Sequence, residues 1–93
     1  MPRVRMKYLA PICDIVGKWE EELDVPEGST LRSVIVDILF ARYGAPFSRL
    51  FYDASGNFRP MFIIRHNGRA MDDFDITVSD GDQFVFIPPI AGG

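Results

Sequence analysis

The chain has one cysteine and one histidine, and this scarcity excludes several classes of function. Cys13 has no second cysteine to pair with, so an internal disulfide, a cysteine-held iron–sulfur cluster and a structural zinc site are excluded. His66 stands alone, which removes most metal sites and the usual Ser/His/Asp or Cys/His catalysis. We therefore interpret Cys13 as a small packed residue, because no base stands near it in the sequence.

Long apolar runs and basic runs are also absent. No stretch approaches the length needed to span a membrane, so we expect no membrane partner. No basic run is interleaved with aromatic residues, so we expect no nucleic-acid partner. Arg3, Arg5 and Lys7 alternate with apolar residues, which is typical of a strand rather than a signal peptide. A cytoplasmic location is the resulting expectation.

The composition predicts one small globular domain. The chain has 93 residues, of which 47% are apolar and 13% aromatic, which suffices for a single core. The net charge is -3, with lysine and arginine scattered along the chain. We predict a folded domain over residues 1–87 and an extended tail over residues 88–93.

Hydrophobic spacing divides the domain into strands and one main helix. Alternation of period two predicts strands over residues 3–9 and 18–25, and apolar runs bounded by turn residues predict strands over residues 60–66 and 83–87. The Asn67-Gly68 turn predicts that residues 69–71 return as a short extended segment. The clearest helix covers residues 31–43, with Ser29 or Thr30 as its N-cap and Gly44 as its stop. Its apolar stripe consists of Leu31, Val34, Ile35, Ile38 and Leu39.

Three remaining segments are predicted to be connections. Residues 11–17 carry two or three apolar anchors, and residues 45–59 contain Phe and Tyr side chains that need burial, so neither is a flexible linker. The acidic residues between 72 and 75 lack the spacing and the distal Glu of a calcium loop, so we interpret them as solvated.

The last strand is apolar on both faces. Phe84 and Phe86 point one way, whereas Val85 and Ile87 point the other way. One helix covers only one face of a sheet, so the second face needs another cover. We predict that Val85 and Ile87 meet a partner protein.

The order of elements predicts an α+β fold of the β-grasp (ubiquitin-like) type. A mixed sheet of four to five strands packs on the main helix, and the last strand lies parallel to the first. Leu9 then joins Val85 and Ile87 in an apolar patch, which Ala70 or Met71 borders.

The tail, Pro88-Pro89-Ile90-Ala91-Gly92-Gly93, is suited to insertion into a narrow pocket. The two prolines fix φ and cannot continue a sheet ladder, so they direct the chain away from the last strand. Gly92 and Gly93 have no Cβ, so a narrow pocket admits them. We expect Gly93 to carry the free carboxylate.

Four motifs, in this order, resemble the ubiquitin-like sulfur carriers of the MoaD/ThiS type. They are Val25-Pro26-Glu27-Gly28-Ser29-Thr30-Leu31, His66-Asn67-Gly68-Arg69, Ser79-Asp80-Gly81-Asp82-Gln83 and Phe86-Ile87-Pro88-Pro89-Ile90-Ala91-Gly92-Gly93. The proline pair and the Ile-Ala-Gly-Gly ending are most similar to the small subunit of molybdopterin synthase. The thiamine-pathway carriers usually lack that pair.

The resemblance implies a carrier that performs no catalysis alone. A ubiquitin-activating-type adenylyltransferase, using ATP and Mg²⁺, would adenylate the Gly93 carboxylate, which then becomes a thiocarboxylate. The large subunit of molybdopterin synthase would accept the tail and the sulfur, while the chain itself binds no cofactor and no metal. Gly93 and Gly92 would be the reacting end. The expected partner-binding residues are Leu9, Met71, Val85, Ile87, Pro88, Pro89, Ile90 and Ala91.

Alternative functions remain open at this point. The same diglycine would serve a protein modifier that joins Gly93 to lysines of target proteins. A thiamine-pathway sulfur carrier uses the same carboxylate chemistry. A plain β-grasp binding module with an incidental tail belongs to a different class.

Overall fold

Strand β1 (Arg3–Tyr8) lies inside a five-stranded mixed sheet in the computed structural model, which describes residues 1–88 of the chain. It pairs antiparallel with β2 (Glu20–Asp24) and parallel with β5 (Gln83–Ile87). Strand β3 (Ile63–His66) is antiparallel to both β5 and β4 (Arg69–Met71). The order β2-β1-β5-β3-β4 confirms the predicted α+β, β-grasp arrangement.

The main helix runs without a break over residues 31–43. Its successive segments are Leu31–Ser33 in α-helical form, Val34–Leu39 in π-helical form and Phe40–Tyr43 in α-helical form. Four residues of the predicted stripe are fully buried, and Ile38 packs against them while partly exposed. The predicted span is confirmed, whereas the π-helical turns had no signal in the spacing.

Thr30 caps the main helix, as one of the two predicted N-cap residues. Its Oγ1 accepts a hydrogen bond from the Ser33 backbone N–H at 3.1 Å, and Ser33 Oγ accepts one from the Thr30 N–H at 2.9 Å. This reciprocal pair satisfies two backbone donors that the helix leaves free. At the other end Gly44 has a φ of 72°, which a residue with a side chain adopts only with strain.

Residues 11–17, predicted as a connection, contain a short helix, Ile12–Val16. Ile12, Cys13 and Val16 are buried, so the predicted anchors and the packed role of Cys13 hold. The helix has five residues and ends at Gly17, which is left-handed at φ 85°. A segment this short shows too little periodicity to be distinguished from a turn.

Residues 45–59 fold against the sheet and are not a linker, as expected. A helix (Ala45–Ser48) leads into a 3₁₀ turn (Arg49–Phe51), and Tyr52 then bridges to Phe58. The segment closes with a turn in which the Asp53 carboxylate accepts backbone N–H groups. The Phe51 ring centroid lies 5.0 Å from that of Phe47, inside the core.

One carboxylate joins the main helix to the sheet. The Glu21 side chain is only 7% exposed, and its Oε2 accepts the Tyr8 hydroxyl at 2.6 Å and the Tyr43 hydroxyl. Its Oε1 accepts Arg42 Nη1 at 2.8 Å. Burial and the bond to Glu21 raise the pKa of Tyr43 to about 12. The pKa of Tyr8 is raised by the same two causes.

Three strand predictions are too long, and that for β1 exceeds the strand by one residue, Leu9. Strand β2 begins at Glu20 rather than at residue 18, so Trp19 lies before it and is 66% exposed. Strand β3 begins at Ile63 rather than at residue 60, because the Met61 N–H donates instead to the Leu50 carbonyl. Within residues 1–88, none of the helices combines the length and the apolar character needed to cross a membrane.

Candidate functional site

Strand β5 separates the core from an open sheet face. Phe84 and Phe86 are fully buried under the main helix, whereas Val85 and Ile87 lie half-buried on the opposite face. The strict alternation of a strand produces this division, because successive side chains point to opposite faces. The predicted division of the last strand is confirmed.

The open face carries a continuous apolar surface at the end of β5. Ile87 lies directly opposite Ile63 across the β3–β5 pair. The Leu9 N–H donates to the Phe86 carbonyl at 3.1 Å, which places Leu9 beside Ile87 on the other side. Leu9 is 41% exposed and Ile63 is 50% exposed. We call Leu9, Ile63, Val85 and Ile87 the sheet-face patch.

Two cations flank the sheet-face patch. Val85 lies between Lys7 of β1 and Arg65 of β3 in the register of the sheet. Within residues 1–88, neither Lys7 nor Arg65 forms an ion pair, so both charges remain available at this face. The patch therefore suits a partner surface that is apolar at its centre and acidic at its margin.

A buried carboxylate fixes the start of β5 against β3. Asp82 is 8% exposed, and its Oδ2 accepts the Ser79 N–H at 2.8 Å. Its Oδ1 accepts Asn67 Nδ2 at 3.0 Å, and His66 Nε2 lies 3.2 Å from Oδ2. The Asn67 side chain in turn accepts the Gln83 N–H at 2.8 Å.

The same group of contacts sets the charge of Asp82. Burial alone would raise the pKa of Asp82, but the hydrogen bonds from Ser79, Asn67 and His66 outweigh it, and the pKa is lowered. The ionised carboxylate thus ties the β3–β4 turn to β5 and holds the register that brings Ile63 opposite Ile87.

Most of the predicted site residues either lie together at the end of β5 or belong to the part of the tail that the structure does not describe. Leu9, Val85 and Ile87 come together as expected, and Pro88 follows them half-buried. Pro89, Ile90, Ala91, Gly92 and Gly93 lie outside the described residues.

Met71 is misplaced in the prediction. It pairs with Ile64 in register and packs against the core on the helix side, so it cannot border the sheet-face patch. Ala70, the other residue considered, pairs with Arg65 and is exposed on the open face. The position of Met71 could have been predicted from the two-residue turn at Asn67-Gly68. It pairs His66 with Arg69, and counting outward from that pair puts Met71 opposite Ile64.

Sequence reasoning missed Ile63. The segment Met61-Phe62-Ile63-Ile64 is apolar at every position, so alternation defines two faces without showing which one is buried. Pairing with β5 decides the question, because Ile64 lies opposite Phe86 in the core and Ile63 lies opposite Ile87.

The sheet-face patch is the candidate site that the described residues offer, and its side chains are apolar. Within residues 1–88, no group of three or more His, Cys, Asp or Glu side chains is placed to hold a metal ion. The two most buried carboxylates, Glu21 and Asp82, are both occupied by protein hydrogen bonds. The candidate site among these residues is therefore the apolar surface at the end of β5.

The chain is similar over nearly its whole length to small modifier and carrier proteins. It is 30% identical to small archaeal modifier protein 3 of Haloferax volcanii, over 97% of this chain and 98% of that protein. A putative molybdopterin converting factor subunit 1 from Pyrococcus furiosus is 29% identical, with a TM-score of 0.76 over 97% of this chain and all of that one.

The crystal structure of SAMP1 from Haloferax volcanii shares the fold. At 23% identity it has a TM-score of 0.77, with 98% of this chain and 99% of that chain covered. A model of the ThiS family matches residues 6–93. The predicted resemblance is thus confirmed, and the chain belongs to the ThiS family of ubiquitin-like, β-grasp sulfur carriers.

Proposed function

We propose that this chain is a sulfur carrier in molybdopterin biosynthesis, acting through the carboxylate of Gly93. The observation that carries the proposal is the position of the sheet-face patch. Ile87 belongs to the patch, and the tail begins at the very next residue, Pro88. A protein that binds the patch is thereby positioned to receive the tail.

The chemistry requires activation of a poor electrophile. A Gly93 carboxylate oxygen attacks the α-phosphorus of ATP held with Mg²⁺ in a partner adenylyltransferase, and pyrophosphate leaves. A hydrosulfide ion then attacks the carbonyl carbon, the bond to the AMP oxygen breaks so that AMP leaves with the electron pair, and loss of the S–H proton gives the thiocarboxylate. The chain supplies the reacting group, and its partners supply the ATP site and the sulfur.

The tail composition fits this role. Pro88 and Pro89 favour extended backbone before binding, so less conformational entropy is lost when the tail enters a channel. Gly92 and Gly93 add no side chain near the nucleotide. The large subunit of molybdopterin synthase would then take the thiocarboxylate end and transfer its sulfur to the pterin precursor.

Intact-mass measurement tests the proposal. The chain is expressed with the activating system of its own organism, and the expected product has one oxygen of the Gly93 carboxylate exchanged for sulfur. A matched variant that lacks Gly92 and Gly93 but keeps the domain should show no exchange. An unmodified carboxylate in the full chain, in the presence of a working activating system, contradicts sulfur carriage.

A second candidate is a protein modifier conjugated to lysines through Gly93. The 30% identity to small archaeal modifier protein 3 favours it. Here a lysine amine attacks the same acyl-adenylate carbon, AMP leaves and an isopeptide bond forms. Peptides in which Gly93 is joined to a lysine of another protein support this candidate, and their absence while sulfur exchange occurs supports carriage alone. A thiamine-pathway carrier shares the sulfur exchange and differs in the protein that accepts the thiocarboxylate.

A further inference from the structure

An apolar groove lies at Pro88, the first residue of the tail, and is lined by none of the four residues of the sheet-face patch. It encloses about 230 Å³ and is lined mainly by Ile12, Ile15, Leu50, Met61, Phe62 and Pro88. Ile12 is buried and Phe62 packs on Phe51 and Phe86, whereas Met61 is 64% exposed at the rim. The volume is below the range of small-molecule pockets, and it suits one bulky side chain.

Backbone hydrogen bonds hold the walls of the groove. The Met61 N–H donates to the Leu50 carbonyl at 3.3 Å, and the Arg59 N–H donates to the Phe51 carbonyl at 2.8 Å. On the opposite wall, the Cys13 N–H donates to the Leu9 carbonyl at 3.2 Å. The groove is therefore preformed, and a ligand side chain would not have to order it.

The groove and the sheet-face patch are formed by the same three chain segments. Each of these three segments has one residue in the sheet-face patch and another in the groove, and the two residues are one to three positions apart in the sequence. Leu9 leads to Ile12, Phe62 leads to Ile63, and Ile87 leads to Pro88. The two surfaces thus flank the point where the tail leaves the domain.

Exposed apolar side chains concentrate at this point. Eight large hydrophobic residues are exposed within residues 1–88, and four of them belong to the patch or the groove, namely Leu9, Ile15, Met61 and Ile63. Single exposed apolar residues need no explanation, but a contiguous apolar surface usually marks a binding site.

The length of the tail limits what can cover the groove. Five residues follow Pro88, and fully extended they reach at most about 18 Å. A protein whose active site holds the Gly93 carboxylate therefore has that site within this distance of Pro88, which itself lines the groove. Because a channel around the tail uses much of that length, its rim must lie against the root of the tail.

We infer that the groove is a second docking surface, and that it takes a bulky apolar side chain (leucine, methionine or phenylalanine) from the channel rim of the activating enzyme. The inference rests on the proposed function and extends it. The activating enzyme would contact the domain on both sides of the root of the tail, and not on the sheet face alone.

Steady-state kinetics of ATP-dependent adenylation test the inference, with the full chain as the varied substrate and the activating enzyme of the same organism. Met61→Asp places a charge at the groove rim and should raise KM about tenfold while kcat stays within about twofold. Met61→Leu should keep KM near the wild-type value. Val36→Asp, on the main helix, is the matched control, because Val36 is also exposed and apolar and lies in neither surface.

Four other outcomes would contradict the inference that the activating enzyme occupies the groove. An unchanged KM for Met61→Asp, with wild-type chain adenylated normally, contradicts the groove as a docking surface and leaves the proposed function intact. A lowered KM would mean that the groove holds the chain's own tail. Dissociation of a wild-type dimer by Met61→Asp, seen by sedimentation, would assign the groove to a second copy. No adenylation of wild-type chain by the active enzyme would refute the proposed function, and the inference with it.

Discussion

Ile63 lies directly opposite Ile87 across the antiparallel β3–β5 pair, and both side chains lie on the face that the main helix does not cover. Two isoleucines from strands distant in sequence thus form the centre of the sheet-face patch. Their pairing connects the fold to the proposed function, because Ile87 is followed at once by the tail.

Replacing Ile63 with serine should weaken binding of the activating enzyme about tenfold. The change removes a side chain that is exposed in the free domain and would be buried in the complex, and such burial contributes about 1.5–3 kcal/mol for a complete side chain. Calorimetric titration of the enzyme with each variant measures the effect. Val36→Ser is the control and should bind like wild type; equal binding by both variants would remove Ile63 from the interface.

Replacing Arg65 with glutamine should slow association with the activating enzyme. Arg65 flanks Val85 at the margin of the patch, and charges at an interface margin act mainly on the association rate. We expect a drop of several-fold at low salt that diminishes as salt is added, measured by stopped-flow fluorescence. Arg69→Gln makes the same charge change on the opposite face of the sheet. A salt-independent loss, or an equal loss in Arg69→Gln, would contradict this role.

Replacing Glu21 with glutamine should lower the free energy of unfolding by about 1–3 kcal/mol at pH 7. The Glu21 carboxylate accepts hydrogen bonds from Tyr8, Tyr43 and Arg42, and a neutral amide cannot satisfy them equally. Urea unfolding measures the loss. Glu20→Gln, on an exposed residue of the same strand, should stay within about 0.5 kcal/mol of wild type.

The loss of unfolding free energy in Glu21→Gln should depend on pH. Burial alone would raise the pKa of Glu21, but hydrogen bonds from the tyrosines and the charges of Lys18 and Arg42 outweigh it, and the pKa is lowered. A lowered folded-state pKa gives stability that is present above the unfolded value of 4.5 and is lost as pH falls through the folded value. The difference between wild type and Glu21→Gln should therefore shrink below pH 4.5. A difference that stays constant there would contradict the assignment.

Replacing Asp82 with asparagine should destabilise the domain by about 1–3 kcal/mol and increase hydrogen exchange at the start of β5. The Asp82 carboxylate accepts both the Ser79 N–H and the Asn67 amide, and an asparagine would present a donor to one of them. Asp72→Asn, at an exposed acidic residue, controls for the change in net charge. Hydrogen exchange that rises equally throughout the sheet would contradict a local role of Asp82 in holding the β3–β4 turn to the start of β5.

Most of the fold could be predicted from the sequence. Alternation, apolar runs and turn residues located all five strands to within three residues at their ends, and helical spacing located the main helix. Strand geometry alone predicted that Phe84 and Phe86 lie on one face of β5 and Val85 and Ile87 on the other, because side chains alternate strictly along a strand. Glu21 could not be recognised as buried, because its neighbours Glu20 and Glu22 are solvated and the run looks uniformly acidic.

The sequence by itself determined the positions of the five strands and the main helix, the two faces of β5 and the family resemblance. These depend on local periodicity and on motifs that lie within single segments. Only the tertiary structure decided that Ile63 completes the sheet-face patch, that Met71 belongs to the core, and that segments around Ile12, Leu50 and Met61 form a groove. These features depend on the register between strands and on contacts between distant segments, and a shift of one residue in register would reverse which side chains are exposed.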